Sequence, residues 1–261
     1  MMKLFQPFHL VTLSPWPLLM SFSILNFLVS LINWMNFYMF QEIFIFLMLI
    51  LICMVQWWRD VVRESLLQGF HTKMVIKGLK MGMFLFIISE VFFFISIFWC
   101  YFHMFLSPSI EIGSLWPPKD IILFNPYMVP LLNTVILLSS GVTVTWCHYS
   151  LLNSDYSSSK ISLFLTFMLG MIFSFFQYLE YKNCLFTFSD SVYGSIFFMS
   201  TGFHGFHVLV GSLFLLVNFF RLIMKNFSSI HHIGFEMSAW YWHFVDVVWL
   251  FLYLLVYFWC Y

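Results

Sequence analysis

Seven stretches of roughly 20 to 30 mostly apolar residues dominate this sequence, at approximately 15–33, 38–58, 77–105, 129–150, 161–181, 191–220 and 235–258. A helix needs about 20 apolar residues to cross the roughly 30 Å hydrocarbon core of a bilayer. The stretches are continuous and do not alternate with period two, which favours helices over the strands of a barrel. Only 8% of the residues are charged, against roughly 25% in a soluble domain. We therefore expect an all-α membrane protein with seven transmembrane helices.

The charged residues are few but unevenly distributed. The net charge is zero and there is no basic tail, so nucleic-acid binding has no electrostatic basis. With the N-terminus on the inner side, only Lys119 and Lys182 fall outside, and the positive-inside rule supports that orientation. The other basic residues fall inside: Lys3, Arg59, Arg63, Lys73, Lys77, Lys80, Lys160, Arg221 and Lys225.

Glu90 is the only formally charged side chain between Lys80 and Glu111. It lies ten residues beyond Lys80, about 15 Å along a helix, and so near the middle of the membrane. An ionisable group at that depth usually faces protein or a cavity. Two interpretations remain open: a proton-accepting site, and a neutral buried acid bonded to one partner. A lone acid would be costly, so we predict a hydrogen bond to His204 or His207.

Further polar residues lie in the last two apolar stretches. His204 and His207 are three residues apart on one face of a helix, beside Gly202, Gly205 and Gly211, which permit close packing. Glu236, His243 and Asp246 are spaced seven and three apart and share a face of the final helix. Histidines on facing helices can bind haem or zinc, and His204 could face His148 or His243. Hydrogen bonding to a neighbouring helix is the favoured interpretation.

Cysteine spacing gives no support for a metal site or a disulfide framework. None of the five cysteines forms a CxxC motif, and four lie in apolar stretches: Cys53, Cys100, Cys147, Cys184 and Cys260. Buried free thiols are the expected state. We expect no metal and no cofactor on this chain.

A second group of polar residues is predicted at the inner ends of the helices. Basic clusters of this kind bind anionic lipid head groups, although ordinary flanking charge gives the same pattern. The residues predicted to cluster there are Arg59, Arg63, Glu64, His71, Arg221, His231 and His232.

Several of these segments together resemble the cytochrome c oxidase subunit III family. They include "QWWRDVVRES", "LFIISEVFFF", "DSVYGSIFFMSTGFHGFHVLVGS" and "HHIGFEMSAWYWHFVDVVWLFLY". The resemblance extends from Phe8 to Tyr253, and the "AWYWHFVDVVWLFLY" part of the last segment is specific to the family. Tyr149 departs from the pattern, since the family often has a second histidine there.

The resemblance implies a fold and a role. The fold would be a two-helix bundle (residues 1–70) and a five-helix bundle (residues 71–261) separated by a V-shaped, lipid-filled cleft. The chain would be a core subunit of the proton-pumping oxidase that transfers electrons from cytochrome c to oxygen. It would hold no haem, no copper and no catalytic residue itself. It would support stability and oxygen access to subunit I, and carry the family's intramembrane acid at Glu90.

The resemblance also implies partners and a location. Haem a and copper would lie on oxidase subunits I and II, and further small subunits would join them. The bound phospholipid would be phosphatidylglycerol, phosphatidylethanolamine or cardiolipin. The lipid-binding residues would be Arg63, Glu64, His71, Arg221 and His231. The chain would lie in the mitochondrial inner membrane, N-terminus in the matrix and C-terminus in the intermembrane space, or in a bacterial plasma membrane. The alternative function is an independent proton-coupled transporter using Glu90, His204 and Asp246 as a relay.

Overall fold

The computed structural model describes residues 8–38, 40–110, 113–119 and 121–261. Within these residues there are seven α-helices and no strand, and each helix is long and apolar enough to span a membrane. The helices are α1 (Trp16–Phe37), α2 (Gln41–Leu66), α3 (Lys73–Leu106), α4 (Val129–Leu152), α5 (Tyr156–Lys182), α6 (Val192–Ile223) and α7 (Ile233–Leu252), with a π-helical extension of α7 at Tyr253–Phe258. The predicted seven-helix membrane fold is confirmed. Lys3 lies outside the described residues.

The chain forms two compact units, and the boundary between them in the sequence falls between Leu79 and Lys80. In the first unit α1 packs against α2. In the second unit α4 packs against α5, α5 against α6, α6 against α7, and α7 against α4. The predicted division at residues 70 and 71, and the cleft between two bundles, stay predictions.

Several helices are longer than the apolar stretches that predicted them. The segment RDVVRES follows the second apolar stretch. It continues α2 to Leu66 as about two mostly polar turns. The N-terminus of α5 is set at Asp155, whose carboxylate accepts from the backbone N–H groups of Ser157 and Ser158. With 34 residues, α3 is about 51 Å long, more than the hydrocarbon core is thick. It must therefore tilt in the membrane or extend beyond the hydrocarbon core.

Trp242 of α7 holds the second unit together. It is fully buried, and its indole N–H donates to Ser140 Oγ of α4 at 2.8 Å. Glycines on α5 and α6 make room for the ring: a Cβ at Gly170 would lie 2.7 Å from it, and one at Gly211 would lie 2.9 Å from it. Small residues let membrane helices approach closely, so three neighbouring helices close around one indole.

Candidate functional site

Glu90 is paired with a histidine of the neighbouring helix. The Nε2 atom of His207, on α6, lies 2.9 Å from Glu90 Oε2, on α3. The Glu90 side chain is 24% exposed and that of His207 is 8% exposed. The predicted hydrogen bond is therefore confirmed, and His207 is the partner.

The other ring nitrogen of His207 restricts how the pair can share its protons. Nδ1 lies 2.6 Å from the carbonyl oxygen of Phe203, which can only accept. Nδ1 therefore carries a hydrogen, and Nε2 faces the carboxyl group. Either a protonated Glu90 donates to a neutral imidazole, or an imidazolium donates to the carboxylate. Both forms contain one shared proton, which could move along this single contact.

His204 has a different environment from His207. It is fully buried, and its Nε2 lies 3.2 Å from the carbonyl oxygen of Val245 on α7. Its ring packs against Phe173 and Trp249, with centroid distances of 5.5 and 5.1 Å. His204 thus bonds the backbone of α7, and neither His148 nor His243 is its hydrogen-bond partner in the residues that the structure describes.

The three polar residues predicted on one face of α7 form two separate groups. His243 Nδ1 lies 3.9 Å from Asp246 Oδ2, and a Cβ at Gly141 of α4 would lie 2.9 Å from that same oxygen. Asp246 is buried. Glu236, two turns nearer the start of α7, instead forms an ion pair with Lys80 and lies 3.5 Å from His232.

Three of the predicted lipid-binding residues belong to the first unit. Arg63 is on the last turn of α2, with its side chain 55% exposed and 3.8 Å from the carboxylate of Asp60. Glu64 is buried, and its carboxylate lies 3.9 Å from Nδ1 of His9. His71 lies in the short connection between α2 and α3. Arg63 is thus the most accessible charge of the three.

The other two predicted lipid-binding residues belong to the second unit. Arg221 is on the last turn of α6, where its guanidinium lies 4.5 Å from the ring centre of Phe227. His231 lies in the connection to α7, where burial, and then the charge of Arg221, lower its pKa. The lowered pKa favours the neutral imidazole, which can offer a head group a hydrogen bond.

A buried polar group in α5 was not among the residues predicted from the sequence. Glu180 is 3% exposed and accepts a hydrogen bond from the hydroxyl of Tyr257 at 2.6 Å. Gln177, one turn earlier, is also buried. The i, i+3 spacing of these two polar residues at the end of an apolar stretch could have indicated a shared polar face on α5.

Similarity to known proteins extends over almost the whole chain. The family model for cytochrome c oxidase subunit III matches residues 6–261. The chain is 54% identical over 261 residues to cytochrome c oxidase subunit 3 of Rhipicephalus sanguineus, covering 98% of this chain and 100% of the relative. It is also 54% identical to the Aedes aegypti protein of that name and 52% identical to the Drosophila melanogaster one, each over 97% of both chains.

Proposed function

The chain belongs to the cytochrome c oxidase subunit III family, and we propose that it acts there as a redox-inert subunit that binds phospholipid and stabilises the oxidase. Family membership makes it a subunit of an oxidoreductase complex. In the proposal, haem a and copper lie on partner subunits I and II. Oxygen access to subunit I stays a prediction, since it concerns a partner chain.

The hydrogen-bond contacts of His204 and His207 on α6 are the main support for a redox-inert role. The Nε2 atom of His204 lies within hydrogen-bond distance of a backbone carbonyl, while its Nδ1 is buried without a hydrogen-bond partner among the described residues. Both ring nitrogens of His207 have partners in the chain. A haem ligand needs a ring nitrogen directed at the metal, so these contacts support hydrogen bonding between helices. They also argue against the predicted relay, because no hydrogen bond in the described part of the chain links the Glu90–His207 pair to Asp246.

Gentle purification of the tagged chain separates the proposed function from that of an independent transporter. We expect haem a and copper to co-purify in fixed ratio with larger chains. The chain stripped of those partners should have no Soret band and no copper. A lone chain that moves protons when reconstituted into liposomes would favour the transporter instead.

Phospholipid binding is proposed for Arg63, Glu64 and His71 in the first unit and for Arg221 and His231 in the second. Arginine binds phosphate through charge and through its planar set of N–H donors. The exposed guanidinium of Arg63 supports this role. Arg221 supports it as well, since its Nε is buried without a hydrogen-bond partner among the described residues.

The proposed location is the mitochondrial inner membrane, with the N-terminus in the matrix. An odd number of candidate spans supports ends on opposite sides, and the excess of basic residues in the connections assigned to the inner side supports the orientation. Protease protection tests it. A C-terminal epitope should be cleaved in mitoplasts while an N-terminal one is protected, and the reverse pattern would contradict the orientation.

A further inference from the structure

Three potential metal ligands converge where α4 ends and α7 begins. They are Nε2 of His148 near the end of α4, Nε2 of His232 just before α7, and a carboxylate oxygen of Glu236 in the first turn of α7. These atoms lie within 4.8 Å of one another. The two Nε2 atoms are 3.3 Å apart, and His232 Nε2 is 3.5 Å from Glu236 Oε1. His232 is buried, and the other two are half-buried.

The hydrogen bonding of His232 fixes which of its nitrogens is free to bind a metal. Its Nδ1 lies 3.0 Å from the carbonyl oxygen of Ser228. A carbonyl only accepts, so Nδ1 carries the hydrogen and the Nε2 of the neutral ring presents its lone pair to His148 and Glu236. A backbone carbonyl orients metal-binding histidines in this way in many proteins.

The two distances from His232 Nε2 to its neighbouring ligand atoms match a tetrahedral centre. Zinc binds histidine nitrogen at about 2.0–2.1 Å and carboxylate oxygen at about 2.0–2.2 Å, which separates adjacent tetrahedral ligands by about 3.4 Å. The measured 3.3 and 3.5 Å lie on either side of that value. A single proton could bridge His232 Nε2 to only one of its two neighbours, whereas a cation between the three atoms attracts all of them.

Glu236 has one oxygen available for a metal. Its Oε2 forms the ion pair with Lys80, whereas Oε1 is the oxygen nearest to His232. Lys80 thus holds the carboxylate in an orientation suited to monodentate binding. The ammonium group of Lys80 is also a positive charge close to the three ligand atoms, and it weakens the binding of a metal cation there.

We propose that His148, His232 and Glu236 form a site for a divalent transition-metal cation, preferentially Zn²⁺, with a fourth position open to water. Two imidazoles and one carboxylate suit zinc, whereas Mg²⁺ and Ca²⁺ prefer oxygen ligands alone. The site would tie the end of α4 to the start of α7. Cysteine motifs and haem-type histidine pairs within the spans gave no indication of this site. One of its ligands, His232, lies in the connection between α6 and α7.

Zinc uptake by the purified oxidase containing this chain tests the proposal. The complex is dialysed against a chelator, titrated with buffered Zn²⁺, and its zinc is measured by mass spectrometry relative to haem a. The His148→Ala and His232→Ala variants should each bind one zinc fewer per complex than the wild type. The His103→Ala variant should match the wild type, because His103 is an exposed histidine near the opposite end of α3.

A Lys80→Gln variant keeps all three ligands and changes zinc affinity in the opposite direction. Removal of the competing charge should tighten zinc binding several-fold, an effect that a folding defect would not give. A wild-type oxidase that binds no more zinc than the His148→Ala and His232→Ala double variant would overturn the proposal. If the histidine variants do not assemble, Lys80→Gln decides: tighter binding supports the site and unchanged affinity overturns it.

Discussion

Glu90 lies within hydrogen-bond distance of His207. Two substitutions of Glu90 test separately whether its hydrogen bond and its ability to ionise are needed. Glu90→Gln keeps a hydrogen bond to His207 and should leave assembly and oxygen reduction nearly unchanged. Glu90→Ala leaves the imidazole unpaired and should cost about 1 kcal/mol of stability. The yield of assembled oxidase and its initial turnover measure both effects. A Glu90→Gln oxidase without turnover would show that the acid itself takes part in the reaction.

Asp155 gives a pH-dependent prediction outside the spans. Hydrogen bonds from Ser158 and Ser157 lower its pKa to about 2. Because the folded pKa lies below the ordinary value of 3.8, the charged cap stabilises the start of α5 above that pH and is lost only as the pH falls through about 2. Hydrogen exchange at residues 156–160 should therefore be equally protected at pH 7 and pH 4 after correction for intrinsic rates.

The matched variants of this cap are Asp155→Ala and Asp155→Asn. The alanine variant removes the acceptor and should exchange faster at pH 7, whereas asparagine keeps an acceptor and is a good N-cap residue. Loss of wild-type protection already at pH 4, or equal exchange of the wild type and Asp155→Ala at pH 7, would contradict the expectation.

At the level of the helices, two glycines of α6 form a matched pair. A Cβ at Gly211 would lie 2.9 Å from the buried ring of Trp242, whereas one at Gly205 would have no neighbour within 4 Å. Gly211→Ala should lower stability by about 1–3 kcal/mol through overpacking. Gly205→Ala should be neutral or slightly stabilising. Thermal inactivation of the purified oxidase distinguishes the two, and equal midpoints would contradict the described packing around Trp242.

The sequence predicted the helices well because hydropathy depends on local composition. Contacts between helices were harder to predict, because they depend on rotation about each helix axis. His204 and His207 share a face by spacing, yet three residues turn a helix by about 300°. The resulting offset of about 60° sends one ring to α7 and the other to α3. Likewise Gly205 and Gly211 were equally good candidates for a helix contact, and only the position of Trp242 distinguishes them.

For the whole molecule, the lipid proposal predicts a defect in durability more than in rate. Arg63→Ala combined with Arg221→Ala should strip phospholipid from the purified oxidase, since each basic residue near an anionic surface contributes about 1 kcal/mol. Initial turnover should stay near wild type, because the proposed redox centres lie on other chains. Lipid phosphorus per haem a and the half-life of activity are the measurements.

Lys182→Ala is the control for that experiment, because it removes one positive charge on the predicted outer side. It should keep both lipid and half-life. A double arginine variant with normal lipid content and normal half-life would mean that these arginines are ordinary flanking charges.

The central position of α7 sets an order for biosynthesis. This helix has the largest buried share of the seven spans described, 56% of its most apolar window, yet it follows α4, α5 and α6 in the chain. Those three helices enter the bilayer while the indole that they will enclose is still in the ribosome or the insertion machinery. Their glycine-lined faces must stay apart or hold lipid until Trp242 arrives. Release of the chain before α7 inserts would therefore leave the glycine-lined faces of α5 and α6 without the indole that they enclose, and a late truncation should be cleared by quality-control proteases as completely as an early one.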